Sequence, residues 1–422
     1  MRLISQNEEA AQWRFSATGS KPCVGSNLRH EAAPHTSRNN LMAQHPHELI
    51  GHFERLVRRD PASRGLIGVD GSGPGIGELL PAAAMFREAR GVVGIVTGFF
   101  IPHREAARDA SSISTDLSSV DCSQFGSAET DGPPGAAVLA AVLSELGFTP
   151  RIITDEPCRP VVVEAANVVG LPAGTVVSVP IERSGGRQRL EQIAFEEWSA
   201  RLTHLVAVER VGPSHHRESI GWNDPDAVQT GNFDEQVPES AFDRCFNMRG
   251  EAIDHFTAAL HELFPDRLQS ARKPDNAGDG GVSTQGESLS DSMGHIATVG
   301  VGDGGNEIGM GRFAWSALRE RIRGDAAARI PCRIATDRTI VAGTSNLGAY
   351  ALAASIAFLH QRVDVLREHS CDAQAAMLVR LVENAGAVDG VTRTPEPTVD
   401  GVPFLTGIEP WAAIRRELGF RD

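Results

Sequence analysis

The sequence predicts an α/β fold: a mostly parallel sheet flanked by helices, Rossmann-like in its three layers, with a ligand site at the C-terminal ends of the strands. Three observations carry that reading. Short apolar runs rich in Val and Ile alternate with stretches of helical period. Helices between strands imply right-handed crossovers and therefore parallel neighbours. Polar, glycine-containing motifs fall directly after the strands, where such sheets bind ligands.

Residues 1–41 carry Ser, Asn, His and Arg without periodicity and without an apolar stretch for a secretory signal, so they read as a disordered tail or a misassigned start. Residues 42–422 read as a single large α/β domain. A helix is expected over 47–58 from the period of Leu49, Ile50, Phe53, Leu56 and Val57. A short strand, 65–70, leads into the glycine turn 71–77, and the β-branched run 92–100 is a buried strand. After a polar loop, 101–128, Pro133 and Pro134 open a helix over 137–146. Strands 151–154, 175–181 and 204–208 then alternate with helices 161–169 and 190–202. Residues 213–244 and 269–294 read as loop insertions. Further helices are expected over 252–264, 308–323, 351–365 and 373–385, and further strands over 296–301, 333–335 and 339–343.

Composition excludes several functions. A formal net charge of -14 does not attract nucleic acid or an anionic membrane, so an anionic substrate must meet a local basic pocket. No apolar run reaches the ~20 residues of a membrane helix. Lys21 and Lys273 are the only lysines, both in irregular segments, which argues against a pyridoxal phosphate Schiff base and against a phosphate-loop lysine. Six cysteines without metal-like spacing read as reduced thiols of a cytoplasmic protein, and the adjacent His215 and His216 lack ligand spacing.

The most informative stretch follows strand 296–301. There Gly302, Gly304, Gly305, Gly309 and Gly311 surround Asp303, Asn306 and Glu307. A capped βα turn explains part of this, but the glycines exceed what a cap requires, and the alternative is a backbone cradle with carboxylates aimed at an amine or a metal. Asp131 has the same two readings, helix cap or ligand group. Thr97-Gly98, Asp155, Glu209-Arg210, residues 302–307 and residues 343–346 all follow strands, so a parallel sheet brings them to one crevice.

The motifs E-T-D-G-P-P-G-A (129–136), E-R-V-G (209–212), N-M-R-G (247–250), G-V-G-D-G-G-N-E-I-G-M-G (300–311) and V-A-G-T-S-N-L-G-A-Y-A-L-A-A (341–354) resemble, in order, the D-glutamate cyclase family's C-terminal domain. In that family the second and third motifs lie closer together, and animal members carry an additional N-terminal hydro-lyase-like domain. The resemblance implies a lyase that closes D-glutamate to 5-oxo-D-proline with loss of water. Ring closure needs a base for the amine, donors for the carboxylates and stabilisation of the tetrahedral oxyanion. Asp303, Glu307 and Glu209 are the candidate catalytic carboxylates. Arg210 and Arg249 are the candidate carboxylate clamps, Gly304 and Gly305 the oxyanion donors, and Asn247, Asn306, Ser345, Asn346, Glu129 and Asp131 further substrate contacts. A magnesium or manganese ion on Asp131, Asp303, Asn306 and Glu307 is the alternative electrophile. Two other functions stay open: metal-dependent hydrolysis or isomerisation of another small amino or hydroxy acid, and non-catalytic binding of acidic amino acids.

Overall fold

The computed structural model describes residues 45–88, 90–103, 124–181, 183–193, 202–264 and 296–421. The expected tail 1–41 and the second insertion, 269–294, lie outside them, as does most of the loop 101–128.

Helix α1 (Pro46–Val57) precedes strand β1 (Val92–Thr97), the small antiparallel pair β2 (Phe100–Pro102) and β3 (Gly126–Ala128), and helix α2 (Pro133–Glu145). Next come β4 (Thr149–Asp155), α3 (Arg159–Val168), β5 (Val176–Val179), α4 (Arg183–Ile193) and β6 (Leu202–Val208). Strands β7 (Ala297–Gly302) and β8 (Arg338–Val341) complete the sheet. Helices α5 (Ser345–Leu359) and α6 (Cys371–Ala385) follow, then a hairpin of β9 (Thr398–Val399) and β10 (Val402–Pro403), and finally helix α7 (Glu409–Glu417).

The six main strands are parallel and ordered β5-β4-β1-β6-β7-β8. The chain winds outward from β1 in one direction and then, from β6, in the other. The switch point between β1 and β6 is where a doubly wound sheet opens a crevice. Both sheet faces are covered, as period-2 alternation requires. Val93, Ile95, Ile152, Val206 and Val208 face the helical layer of α1, α2, α3 and α5, while Val96, Ile153, Leu205 and Ala207 face the layer containing Leu190 and Ile193 of α4.

Helix α5 is the axis of the first layer. Nearly every residue of it is buried, so it is apolar around its whole circumference. Its close packing on α2 depends on Gly135: a Cβ there would stand 2.9 Å from the Ala349 Cβ and 3.0 Å from the Asn346 Cα.

Several elements depart from expectation. Residues 65–70 form turns, not a strand, because the Asp60 carboxylate takes the Arg64 and Gly65 N–H groups and Gly68 and Ser72 close a loop on each other. The stretch 213–244 is more than a loop: it forms short helices at Arg217–Asn223, Pro225–Gln229 and Asn232–Gln236, whose Ile220, Ala227 and Phe233 share a small core with Trp315, Met310 and Leu66. No α-helix spans 252–264, because Ile253, Phe256 and Leu260 anchor in three different apolar clusters and stretch the chain between them. The helix expected over 308–323 contracts to Trp315–Arg319, since Gly309 and Met310 bridge to Ala335 instead. Within 333–335 only Ala335 consequently pairs, through isolated bridges rather than a strand. Helix α5 starts earlier than expected, so Ser345 and Asn346 are its first turn. α6 is not the last helix.

Candidate active site

The strand ends at the switch point gather five carboxylates from four separate segments. Glu129 and Asp131 come from the link between β3 and α2, Glu209 from the end of β6, Asp303 from the end of β7, and Asp400 from the β9–β10 turn. All five are buried. A single guanidinium enters among them. Arg64 donates from Nη1 to Asp303 Oδ1 at 2.5 Å and from Nη2 to Asp400 Oδ1, with its side chain 14% exposed.

Local structure explains how each group is held. Asp131 lies across the N-terminus of α5: Ser345 N and Asn346 N donate to its two oxygens at 2.8 Å each. Asn346 returns the interaction, its Oδ1 accepting from Gly132 N at 3.1 Å and Gly135 N at 2.8 Å at the start of α2. The two helix N-termini therefore cap one another, and both aim their positive ends at the carboxylates. Ser345 Oγ donates to Glu209 Oε2 at 2.6 Å. Glu209 has φ +43° and Asp400 φ +56°, conformations in which non-glycine residues are strained and which concentrate at functional sites. Gly132, at φ +94°, leaves the room: a Cβ there would stand 2.7 Å from the Glu209 Cβ.

Asp400 reaches the site through a two-residue hairpin turn, Asp400-Gly401, with positive φ at both positions, the geometry that Asp-Gly favours. Behind it, the Asp389 carboxylate accepts from Val391 N and Thr392 N at 2.8 Å and from Thr398 Oγ1 and Gly401 N at 2.7 Å. Arg64 and Asp400 were missed from sequence, since each lies in a loop far along the chain from its partners. The Asp-Gly pair flanked by valines was the one available signal.

Burial and mutual repulsion shift the carboxyl groups in a common direction. Burial raises Glu129 well above the usual carboxylate range, helped by Glu209, Asp400 and Asp131 and opposed by Arg64. Burial likewise raises Glu209, with Glu307 and Asp131 adding to it. Asp303 is raised well above the ordinary value by burial, against the pull of Arg64. Asp131 is pushed up to about 7 by burial and by Asp400, while the Asn346 and Ser345 N–H groups draw it down. Asp400 too is raised by burial. Burial disfavours the charge on Arg64, but Asp303, Asp400, Glu209 and Glu129 hold its pKa above the usual range. Such a cluster retains protons that it can both give and take.

The other expected residues occupy supporting positions. Glu307 accepts backbone N–H groups from Asp303 at 3.2 Å, Gly304 at 2.6 Å and Gly305 at 2.7 Å. The glycine N–H groups expected to serve an oxyanion are thus directed at Glu307. Arg210 is buried away from the cluster, donating to Asp155 Oδ2 at 2.6 Å, Gly98 O at 2.7 Å and Ala258 O at 2.8 Å. Arg249 donates to Gly390 O at 3.2 Å and to Val391 O, which holds that loop beside Glu129. Asn247 shapes its own turn by accepting from Arg249 N and Glu251 N at 3.0 Å. Asn306 donates to Phe246 O at 2.8 Å. Of the groups expected to clamp a carboxylate, Arg210 and Arg249 hydrogen-bond elsewhere, although Arg249 lies in the field of Glu129; Arg64 bonds to the cluster directly.

Two triplets of carboxylates bring ligand atoms within 4.8 Å of one another: Asp131 with Asp303 and Asp400, and Glu209 with Asp303 and Glu307. No helix among the described residues is long and apolar enough to cross a membrane.

A doubly wound sheet carrying a buried acidic crevice at its switch point defines an α/β protein with a small-molecule site at the strand ends. The chain belongs to the D-glutamate cyclase-like, C-terminal family, whose model matches residues 53–220 and 285–411. It is 29% identical over 310 residues to the human protein named D-glutamate cyclase, mitochondrial. That alignment takes in 70% of this chain but 38% of the human protein.

Proposed function

We propose that the protein is a hydro-lyase that converts D-glutamate to 5-oxo-D-proline and water. Family membership and the name of the human relative support this reading, and the observation that carries it in the site is the convergence of five buried carboxyl groups around one guanidinium.

Cyclisation forms a bond from the α-nitrogen to the distal carboxyl carbon and expels one carboxyl oxygen as water. The ammonium loses two protons in all and the departing carboxylate oxygen gains two, so the protons are relayed through the site in turn with no net uptake or release. Asp303, whose Oδ2 has no partner, takes the proton from the amine. Glu209, protonated because burial raises its pKa, gives one to the departing oxygen. Arg64, which holds Asp303 and Asp400 through Nη1 and Nη2, offers its remaining N–H groups to a substrate carboxylate. Glu307 serves as a brace of the glycine turn rather than as the base, since three backbone N–H groups occupy its oxygens.

Proton NMR of purified protein with D-glutamate and, separately, L-glutamate tests the proposal. The expected result is 5-oxoproline from the D-isomer alone. Binding of either isomer with no product would overturn the catalytic reading in favour of an acidic-amino-acid-binding protein. Turnover of a different small acid would overturn the substrate.

A further inference from the structure

We propose that Asp131, Asp303 and Asp400 form a binding site for one hard divalent cation of the magnesium or manganese type. The inference shares Asp303 with the cyclase reading: an ion on Asp303 Oδ2 takes the place of the base role given to that atom above, and the experiment below needs no substrate. It starts from the oxygen atoms rather than from the number of acids.

Arg64 engages Oδ1 of Asp303 and Oδ1 of Asp400 and no other atom of either carboxylate. Oδ2 of each is buried with no hydrogen-bond partner, and the two side chains are 1% and 0% exposed. A buried carboxylate oxygen without a partner carries a desolvation cost that a cation removes. These two residues and Asp131 bring one oxygen each within 4.8 Å of one another, a spacing compatible with a shared ion. Asp131 already accepts one N–H on each oxygen, and each oxygen keeps a second lone pair. The guanidinium and the helix N-terminus therefore act as outer groups that fix ligand orientation, as second-shell partners do at metal sites.

The competing triplet, Glu209 with Asp303 and Glu307, is less suited, because the Glu307 oxygens are held by Asp303, Gly304 and Gly305 N–H groups. The donor set also fixes the type of ion. Carboxylates without nitrogen or sulfur suit magnesium, manganese or calcium, and three protein ligands leave positions for water or a substrate carboxylate, the habit of the smaller ions.

Titration of the metal-stripped full chain with manganese, followed by electron paramagnetic resonance of the free ion, tests the site without any substrate. The expected result is one ion per chain, displaced by magnesium, with affinity at least tenfold weaker in Asp400→Asn and in Asp303→Asn. No uptake at millimolar manganese would overturn the proposal, as would folded variants that bind as tightly as the unaltered chain. Should a variant fail to fold, anomalous scattering from a manganese-soaked crystal of the unaltered chain decides. A peak among the three carboxylates supports the site, and a peak elsewhere overturns it. Manganese binding without turnover of glutamate supports this site while overturning the cyclase reading. Turnover that survives chelator with no manganese bound does the reverse.

Discussion

Two buried arginines are used differently. Arg210 meets one carboxylate, Asp155, and two main-chain carbonyls, with the pair 1% and 0% exposed. Arg64 meets two carboxylates directly and lies in the field of two more, Glu209 and Glu129. One cation matched to one anion is a closed structural unit. One cation among many acids leaves negative charge that only protons, a metal or a substrate cation can answer. Partner stoichiometry, rather than burial, is the ground for proposing a functional role for Arg64 and a structural one for Arg210.

The sharpest test exchanges their losses. Arg64→Ala is expected to lower product formation by about 10²- to 10³-fold, the scale for removing one preorganised donor, with the variant still folded. Arg210→Ala is expected instead to cost about 3–5 kcal/mol of stability in urea unfolding, because Asp155 is left charged and unpaired in the interior. If Arg210→Ala folds normally and loses turnover while Arg64→Ala keeps it, the assignment is inverted.

The acid excess also has a pH signature. In the folded chain Asp131 holds its proton up to about 7, whereas the unfolded chain releases it near the ordinary aspartate value of 3.8. Between those values the native state binds more protons, so this group's contribution to stability falls as pH rises. Buried histidines pull the other way: His215, lowered to about 3 by burial, must stay neutral in the folded chain and favours folding increasingly up to its unfolded value near 6.5. The clean measurement is therefore a difference. With chelator present, the stability of the unaltered chain relative to Asp131→Asn should decline from pH 4 to 7 by up to about 1.4 kcal/mol per pH unit. A gap that stays constant over that range would show that Asp131 is ionised throughout.

The same contrast explains what the sequence reveals. The parallel sheet, though not its strand order, was legible because apolar runs rich in Val and Ile alternate with helical stretches, and the groups directly after those strands had to share an end. Glu209 and Asp303 could therefore be gathered on paper, while Glu129 and Asp131 joined them only through the family resemblance. Arg64 and Asp400 could not, because they pair with each other across |i−j| = 336 and reach the crevice from irregular loops. Nor could partner choice be read. The N–H groups of Gly304 and Gly305 and the guanidiniums of Arg210 and Arg249 are plausible ligand donors in any alignment of letters, and only the three-dimensional packing shows that Glu307, Asp155 and main-chain carbonyls reach them first. The apolar spacing of 252–264 misled for a related reason: its large residues belong to three clusters rather than to one helix face.

A residue between these two categories gives the smallest expected effect and the finest division. Asp389 is fully buried and touches none of the five carboxylates by hydrogen bond, yet it holds both ends of the loop that delivers Asp400. Asp389→Asn keeps the shape but replaces one acceptor oxygen with a donor. The Gly401 and Thr398 donors, or those of Val391 and Thr392, then face an amide N–H₂. The expected cost is about 1–3 kcal/mol of stability, the price of unsatisfied buried donors. Turnover should fall less than in Arg64→Ala, with the loss mainly in KM, since a loosened Asp-Gly turn displaces Asp400 without removing it. A kcat loss as large as that of Arg64→Ala, at unchanged stability, would mean that the chemistry extends one layer further out and that Asp389 carries charge the reaction uses.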